Sequence, residues 1–241
     1  MRKSVNALLL RYALLTALCL PPILANADLL NHGFSVTYDV SRNGIYLGDT
    51  VRSLKQLPDG NWQYTGTTTA KGLAGLFFHD IVVETSILKQ KGNNIIPLSY
   101  TYDQSGGKDK EHYQIDFLWD QHKIHNSRGN KDFKIEGNAY DVQTFLLQIM
   151  RDLQHHQNTM TYFIASRSDA SSYVLTQNGN TKIDTPYKPL ETIELTSNKL
   201  KDNDQYRIWC AATLEYLPVR IQKIDSDGNK VELLIKDFKP D

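Results

Sequence analysis

The chain has 241 residues, with 27 Lys+Arg against 27 Asp+Glu and a mean hydropathy of −0.45. These values are typical of a water-soluble globular protein and exclude a polytopic membrane protein or a disordered chain. A formal net charge of zero gives no sign of a basic face for nucleic acid. Two cysteines are too few for a disulfide-dense scaffold or a four-cysteine zinc site.

Residues 1–27 have the features of a secretory signal peptide. Three basic residues, an apolar stretch at 12–20, two prolines and the small residues Ala25 and Ala27 predict cleavage between Ala27 and Asp28. The apolar stretch is too short to cross a bilayer, so we expect no transmembrane anchor in the mature chain. Lipoprotein processing is disfavoured because the large Leu18 precedes Cys19. The predicted localisation is therefore periplasmic.

Removal of this segment changes the charge and the cysteine count. Residues 28–241 carry 24 basic and 27 acidic side chains, a net charge of −3, which gives no attraction to nucleic acid or an anionic membrane. Cys210 is then alone, and beside Trp209 it is interpreted as a small apolar strand residue instead of a nucleophile. No linker divides the chain, so we predict one β-rich domain over 28–241.

Most of this domain alternates apolar and polar residues with the period of two that is typical of strands. At 34–40 the alternation puts Phe34, Val36 and Tyr38 on one face, and Asn43-Gly44 predicts a tight hairpin. The other turns, which separate more than ten strands in all, are predicted at 58–61, 91–94, 105–107, 177–180 and 227–229. Because short turns join antiparallel neighbours, we predict a mainly β fold, an antiparallel meander forming a strongly curved sheet or incomplete barrel.

One amphipathic helix is predicted at about 139–154. Apolar residues recur there at helical spacings from Val142 to Leu153. The polar residues that interleave on the remaining faces are Asp141, Gln148, Arg151 and Asp152. We therefore expect the helix to cover the sheet with one apolar stripe.

Several short motifs spread over nearly the whole mature chain point to a family. They are the strand around Tyr38, Lys71-Gly72 after the third strand, Trp119-Asp120, and the late strand Leu217-Pro218-Val219-Arg220-Ile221. With them the chain resembles the bacterial envelope family catalogued as domain of unknown function 3108. It departs from the family pattern at 185–189 and 208–211, which affects local turns. The resemblance implies a secreted β-rich fold and no established reaction.

Catalytic and metal-binding motifs are absent from the sequence. There is no Gly-x-Ser-x-Gly, His-Glu-x-x-His or Cys-x-x-Cys. The histidine pairs at 122/125 and 155/156 each lack a third ligand, and the second pair suits a solvated helix C-terminus. We therefore predict no catalytic residue, no metal and no cofactor. Asp80, Glu84 and Asp120 are the starting candidates if the protein is instead an enzyme that uses carboxylates.

The connection at 71–79 is the segment with the strongest sign of a binding function. It places Leu73, Leu76, Phe77 and Phe78 between glycines in a link between strands, and contiguous apolar surface in a connection is typical of binding sites. These four residues are our candidate ligand-binding residues, at the mouth of an apolar cleft. The alternative is that they plug the open end of the barrel and pack on the helix.

Three functions remain open from the sequence. The first is a non-catalytic periplasmic binding or accessory protein whose partner is an apolar envelope molecule or an envelope protein. The second is a carboxylate-based hydrolase or carbohydrate-active enzyme. The third is a protein-interaction scaffold with a filled barrel.

Overall fold

The computed structural model describes residues 28–75, 79–107, 110–199 and 205–241. The strands in these residues, β1 to β15 in chain order, are Phe34–Arg42, Ile45–Gln56, Trp62–Ala70, Ile81–Lys91, Asn94–Ser105, Glu111–Leu118, Lys123–Asn126, Lys131–Lys134, Ala139–Asp141, Thr159–Ala165, Ala170–Ile183, Leu190–Lys199, Gln205–Ala211, Leu217–Ile224 and Lys230–Pro240. The α-helices α1 to α3 are Leu29–His32, Gly72–Gly75 and Thr144–Gln154, and short 3₁₀ turns occur at Trp119–Gln121 and Ala212–Leu214.

All these strands belong to one sheet. From β1 the meander β2 to β8 extends in one direction, and from β15, which pairs with β1, the strands β14 to β9 extend in the other. Neighbouring strands are antiparallel except β9 and β10, which are parallel. The two edges are β8 and β9, and no hydrogen-bonded ladder joins them. The prediction of a mainly β fold, an antiparallel meander forming a strongly curved sheet or incomplete barrel, is confirmed, and the sheet is not closed.

The two ends of the sheet overlap and pack on each other without pairing as strands. Tyr162 and Phe163 are neighbours on β10 and point to opposite faces, yet both are buried. Tyr162 lies in the main core with α3, whereas Phe163 packs in a second core with the inner face of β5 to β7. Asn126 of β7 fastens this overlap, because its amide nitrogen donates to the carbonyls of Ser166 at 3.1 Å and Arg167 at 3.2 Å.

Helix α3 lies inside the curve of the sheet, and its apolar side packs in the main core as predicted. Its polar residues Gln148 and Arg151 are buried too, which differs from a helix with one covered stripe. Gln148 accepts from the backbone N–H of Ile95 at 2.8 Å, and Arg151 donates to Gln90 at 2.8 Å and forms an ion pair with Asp28. The strands surround the helix, and these polar side chains bind the sheet and the N-terminal segment.

The start of α3 is held by a buried carboxylate. Asp141 accepts hydrogen bonds from the backbone N–H groups of Gln143 at 2.8 Å and Thr144 at 2.9 Å, and from the hydroxyl of Ser86 at 2.9 Å. These bonds satisfy N–H groups that a helix start leaves unpaired. Burial raises the pKa of Asp141, although the hydrogen bonds oppose the shift.

Local predictions were wrong in two places. The turn expected at 177–180 is absent, because β11 runs through it as one strand with a register shift between Gln177 and Gly179. A bulge absorbs the extra residue, so Asn-Gly does not have to reverse the chain there. The helix begins at Thr144 instead of about 139, because Ala139–Asp141 forms β9. The hairpin at Asn43-Gly44 is confirmed, with both residues at positive φ.

Candidate functional site

A cavity of about 360 Å³ opens at one end of the curved sheet, and we call it the mouth pocket. Its described lining residues are Val40, Arg42, Leu47, Gly48, Thr68, Thr69, Ala70, Ala74, Asp80 and Val82. Most of them come from the turn-side ends of β1 to β4, and Ala74 comes from α2. Apart from Arg42 and Asp80 the side chains that line it are small or apolar, which suits an apolar ligand.

Five of the six exposed large apolar side chains in the described residues lie around the same end, and we call these five the mouth rim: Ile45, Tyr46, Leu73, Ile81 and Val231. The sixth, Val51, lies further along β2. The strand register brings the mouth rim together, since Arg42 pairs with Ile45 on one side and with Val231 on the other. Large exposed apolar side chains at one end of a soluble protein are typical of an interaction site.

Of the candidate ligand-binding residues predicted from the sequence, the structure describes Leu73 in this region. Leu73 lies on α2 with 80% of its surface exposed, so it does not pack on α3. Its neighbour Ala74 lines the pocket. Leu76, Phe77 and Phe78 lie outside the described residues, and their role stays a prediction.

The connection that carries α2 is anchored by a buried carboxylate. Asp49, on β2, accepts from the Lys71 ammonium at 2.6 Å, the Tyr46 hydroxyl at 2.8 Å and the Lys236 ammonium at 3.3 Å. Burial alone would raise the pKa of Asp49, but these donors outweigh it and lower the pKa to about 2. The Asp49 carboxylate therefore ties Lys71, the residue before α2, to the sheet.

Polar side chains lie on the inner face of the sheet beyond the mouth pocket. Arg52, Gly66 and Glu84 are direct cross-strand partners on β2, β3 and β4. Gln143 reaches this row from the start of α3, and its Oε1 would lie 2.9 Å from a Cβ placed on Gly66. Glu84 accepts from the hydroxyl of Tyr100 at 2.7 Å. Sequence reasoning missed this group, apart from Glu84.

A second cavity, of about 640 Å³, lies where β5 and β6 approach β9. Trp119 and Tyr140 line it together with Asp120, and the Trp119 indole donates to the carbonyl of Pro97 at 2.7 Å. The three carboxylates considered for catalysis thus have different surroundings. Asp120 lines this cavity, Asp80 lines the mouth pocket, and Glu84 is bound to Tyr100.

The remaining sequence candidates do not form a site in the described residues. His155 is exposed at the C-terminus of α3, and its N–H donates to Arg151 O, as expected for solvated capping. Within the described ranges, no three His, Cys, Asp or Glu side chains converge as metal ligands. Cys210 is fully buried, and burial raises the pKa of its thiol. None of the helices that the structure describes is long and apolar enough to span a membrane.

Comparison with solved structures relates the fold to a β-barrel-like protein of DUF1849 from Brucella abortus, which is 5% identical. The match covers 86% of this chain and 97% of that one, with a TM-score of 0.52. MucB is 10% identical over 88% of this chain, with a TM-score of 0.39, and this chain spans 55% of its length. A putative lipoprotein from Parabacteroides distasonis is 9% identical, covers 86% and 95% of the two chains, and has a TM-score of 0.36.

Sequence comparison identifies the family. No curated protein matches the chain significantly. The model of DUF3108, a family of proteins of unknown function, matches residues 34–235, from the first residue of β1 into β15. The matched range contains both halves of the sheet and α3, and the family is the one that the sequence motifs indicated. The chain therefore belongs to the DUF3108 family.

Proposed function

We propose that this protein is a non-catalytic binding or accessory protein of the bacterial envelope that holds an apolar molecule, or the apolar part of one, in the mouth pocket. The observation that carries the proposal is the coincidence of the pocket with the mouth rim at one end of the sheet. Apolar surface that leads from solvent into an apolar cavity provides a path for such a ligand.

The packing of helix α3 supports the mouth pocket as the ligand site. Its buried residues fill the middle of the curve, with Ile149 and Met150 fully buried. This packing leaves little room for a ligand along the axis of the sheet, so the pocket near β1 to β4 is the better apolar site. A filled barrel also suits a scaffold, but a scaffold has no need of an apolar cavity behind the rim.

The enzymatic alternative has less support. Carboxylate-pair hydrolysis needs two carboxyl groups about 5 to 10 Å apart across the substrate. Asp80 and Asp120 line different cavities, and Glu84 lies in the same cross-strand row as Arg52 with its Oε1 bound by the Tyr100 hydroxyl.

The envelope location is proposed from the N-terminal sequence. Cleavage between Ala27 and Asp28 would place the protein in the periplasm. N-terminal sequencing of the protein recovered from a periplasmic extract tests this, with Asp28 expected as the first residue. A start at Met1 in that extract would contradict the cleavage.

Binding is tested with N-phenyl-1-naphthylamine, a neutral apolar fluorescent probe. Val82 lines the pocket, and its neighbour Val83 points to the opposite face of β4. We expect saturable binding by the wild type, about tenfold weaker binding by Val82→Asn, since a buried amide without partners opposes apolar contact, and unchanged binding by Val83→Asn. Urea unfolding checks that both variants are folded. Absence of binding by the wild type, or equal binding by all three proteins, would overturn the proposal.

A further inference from the structure

The row Arg52, Gly66 and Glu84 lies directly beyond the mouth pocket. On β3, Thr68 lines the pocket and Gly66 is two residues further along the same face. Two residues of an extended strand span about 7 Å. The row is therefore within reach of a molecule that enters through the pocket.

Arg52 is a buried cation in this row. Only 9% of its surface is exposed. Burial opposes the charged form, but the neighbouring Tyr64 and Glu84 outweigh that effect, and the pKa of Arg52 is raised above its ordinary value. The guanidinium is thus charged at every physiological pH.

The hydrogen-bonding groups of this cation are incompletely used. Nε and Nη1 of Arg52 are buried and find no acceptor among the described residues, and these two atoms carry three N–H bonds. Oε1 of Gln143 is also buried there without a donor. A buried group left unpaired costs about 1–3 kcal/mol, and more when it is charged, so this row has hydrogen-bonding capacity that a partner from outside the chain can use.

The local geometry indicates where that partner fits. Gly66 has no side chain between Arg52 and Glu84, and the end of the Gln143 side chain occupies this space. The amide nitrogen of Gln143 donates to Ser86 at 3.3 Å, and its oxygen accepts no hydrogen bond from the part of the chain that the structure describes. The Gln143 amide can therefore turn aside at little cost and expose the guanidinium to a ligand.

Glu84 does not take the place of that ligand. Its Oε1 accepts from Tyr100 on the far side of β4. Among the described residues Nε and Nη1 of Arg52 have no acceptor, although only Gly66 separates Arg52 from Glu84 in the row. An arginine with free N–H groups pairs best with an anionic oxygen group.

We propose that Arg52 and Gln143 form the headgroup site for a single-chain amphiphile with an anionic oxygen group, either a carboxylate or a phosphate, whose alkyl chain lies in the mouth pocket. This inference rests on the proposed function, since the pocket must accept the chain. A cavity of about 360 Å³ is near the lower limit for small-molecule sites and suits one alkyl chain.

The test is isothermal titration calorimetry of the purified protein with decanoate, decyl phosphate and decanol, which share one chain and differ in headgroup. A hydrogen bond to a charged group contributes about 1.5–3 kcal/mol. We therefore expect at least one anion to bind about tenfold or more tightly than decanol. Preference for decanoate or for decyl phosphate distinguishes the two anion sources, and equal affinity for both supports their shared chemistry.

Two variants test whether Arg52 and Gln143 cause the preference for the anions over decanol. Gln143→Glu changes one terminal atom and places a carboxylate beside Arg52, and Arg52→Gln removes the cation. Both should reduce the affinity for the anions to that for decanol, with decanol binding unchanged. Gln143→Glu keeps the test valid if Arg52→Gln fails to fold.

Two outcomes separate this inference from the proposed function. If decanol binds the wild type as tightly as both anions, or if Gln143→Glu keeps the anion preference, the headgroup site is wrong and the apolar pocket stands. If none of the three molecules binds, the pocket and the headgroup site are both wrong.

Discussion

Asp49 is a carboxylate whose replacement should cost a measurable part of the folding free energy. It is 5% exposed and accepts hydrogen bonds from Lys71, Tyr46 and Lys236. Its pKa is lowered from 3.8 to about 2, and a tenfold change in an acid dissociation constant corresponds to about 1.4 kcal/mol of free energy. We therefore expect Asp49→Asn to lower the free energy of unfolding at neutral pH by about 2 kcal/mol.

The pH dependence follows from the direction in which the pKa of Asp49 moves on folding. Because the folded-state pKa is below the unfolded-state pKa, the stabilisation is fully present above pH 3.8 and is lost as the pH falls towards 2. Urea unfolding followed by tryptophan fluorescence, repeated between about pH 7 and pH 2, measures it. The difference between wild type and Asp49→Asn should shrink over that acid range.

Asp132 supplies the control. It also accepts from two basic side chains, His125 and Lys123, but about half of it is exposed, and solvent screens such pairs. Asp132→Asn should leave the urea midpoint nearly unchanged at neutral pH. If Asp49→Asn behaves like Asp132→Asn, or if its effect persists unchanged at about pH 2, the reasoning on the anchor of the α2 connection is refuted.

Three further predictions concern the core and the overlap. Ile149→Ala should lower the free energy of unfolding by about 3 kcal/mol, because truncating this fully buried side chain of α3 leaves a cavity. A loss below about 1 kcal/mol would contradict the burial of this helix in the core. Asn126→Ala should cost about 2 kcal/mol in the same assay, since the carbonyls of Ser166 and Arg167 lose their donor. Cys210 should not react with Ellman's reagent at about pH 8 until urea unfolds the protein, because its thiol is buried with a raised pKa; rapid labelling of the folded protein would show that β13 opens.

The strands could be predicted from the sequence because their signal is local. Alternation at Phe34, Val36 and Tyr38 reports one covered face, and each of these residues is buried on the inner side of β1. The same rule gave no sign of the overlap. Phe163 and Ala165 are buried against β5 to β7 on what alternation would assign as the outer face of β10, and that contact depends on how far the whole sheet curves.

The environment of α3 could not be predicted for a similar reason. Its apolar spacing indicates a covered face, but besides neighbours on the helix Gln148 and Arg151 have partners 53 to 123 residues away in the chain. A helical pattern contains no information on such distant partners, so polar residues are assigned to the free side of the helix. Inside a curved sheet most of the helix surface is covered, and each buried polar group needs a partner instead.

One local signal for the headgroup site was present in the sequence. Gly66 interrupts a run of threonines in β3, and glycine inside a strand marks a bulge or a close approach of other atoms. β3 has no register shift there, and Gly66 is not among the residues with positive φ, so close approach is the remaining reason. The approaching atom is Oε1 of Gln143. The interrupted threonine run thus identifies where α3 meets the sheet, and a methyl group on Gly66 would compete for the space that the proposed headgroup needs.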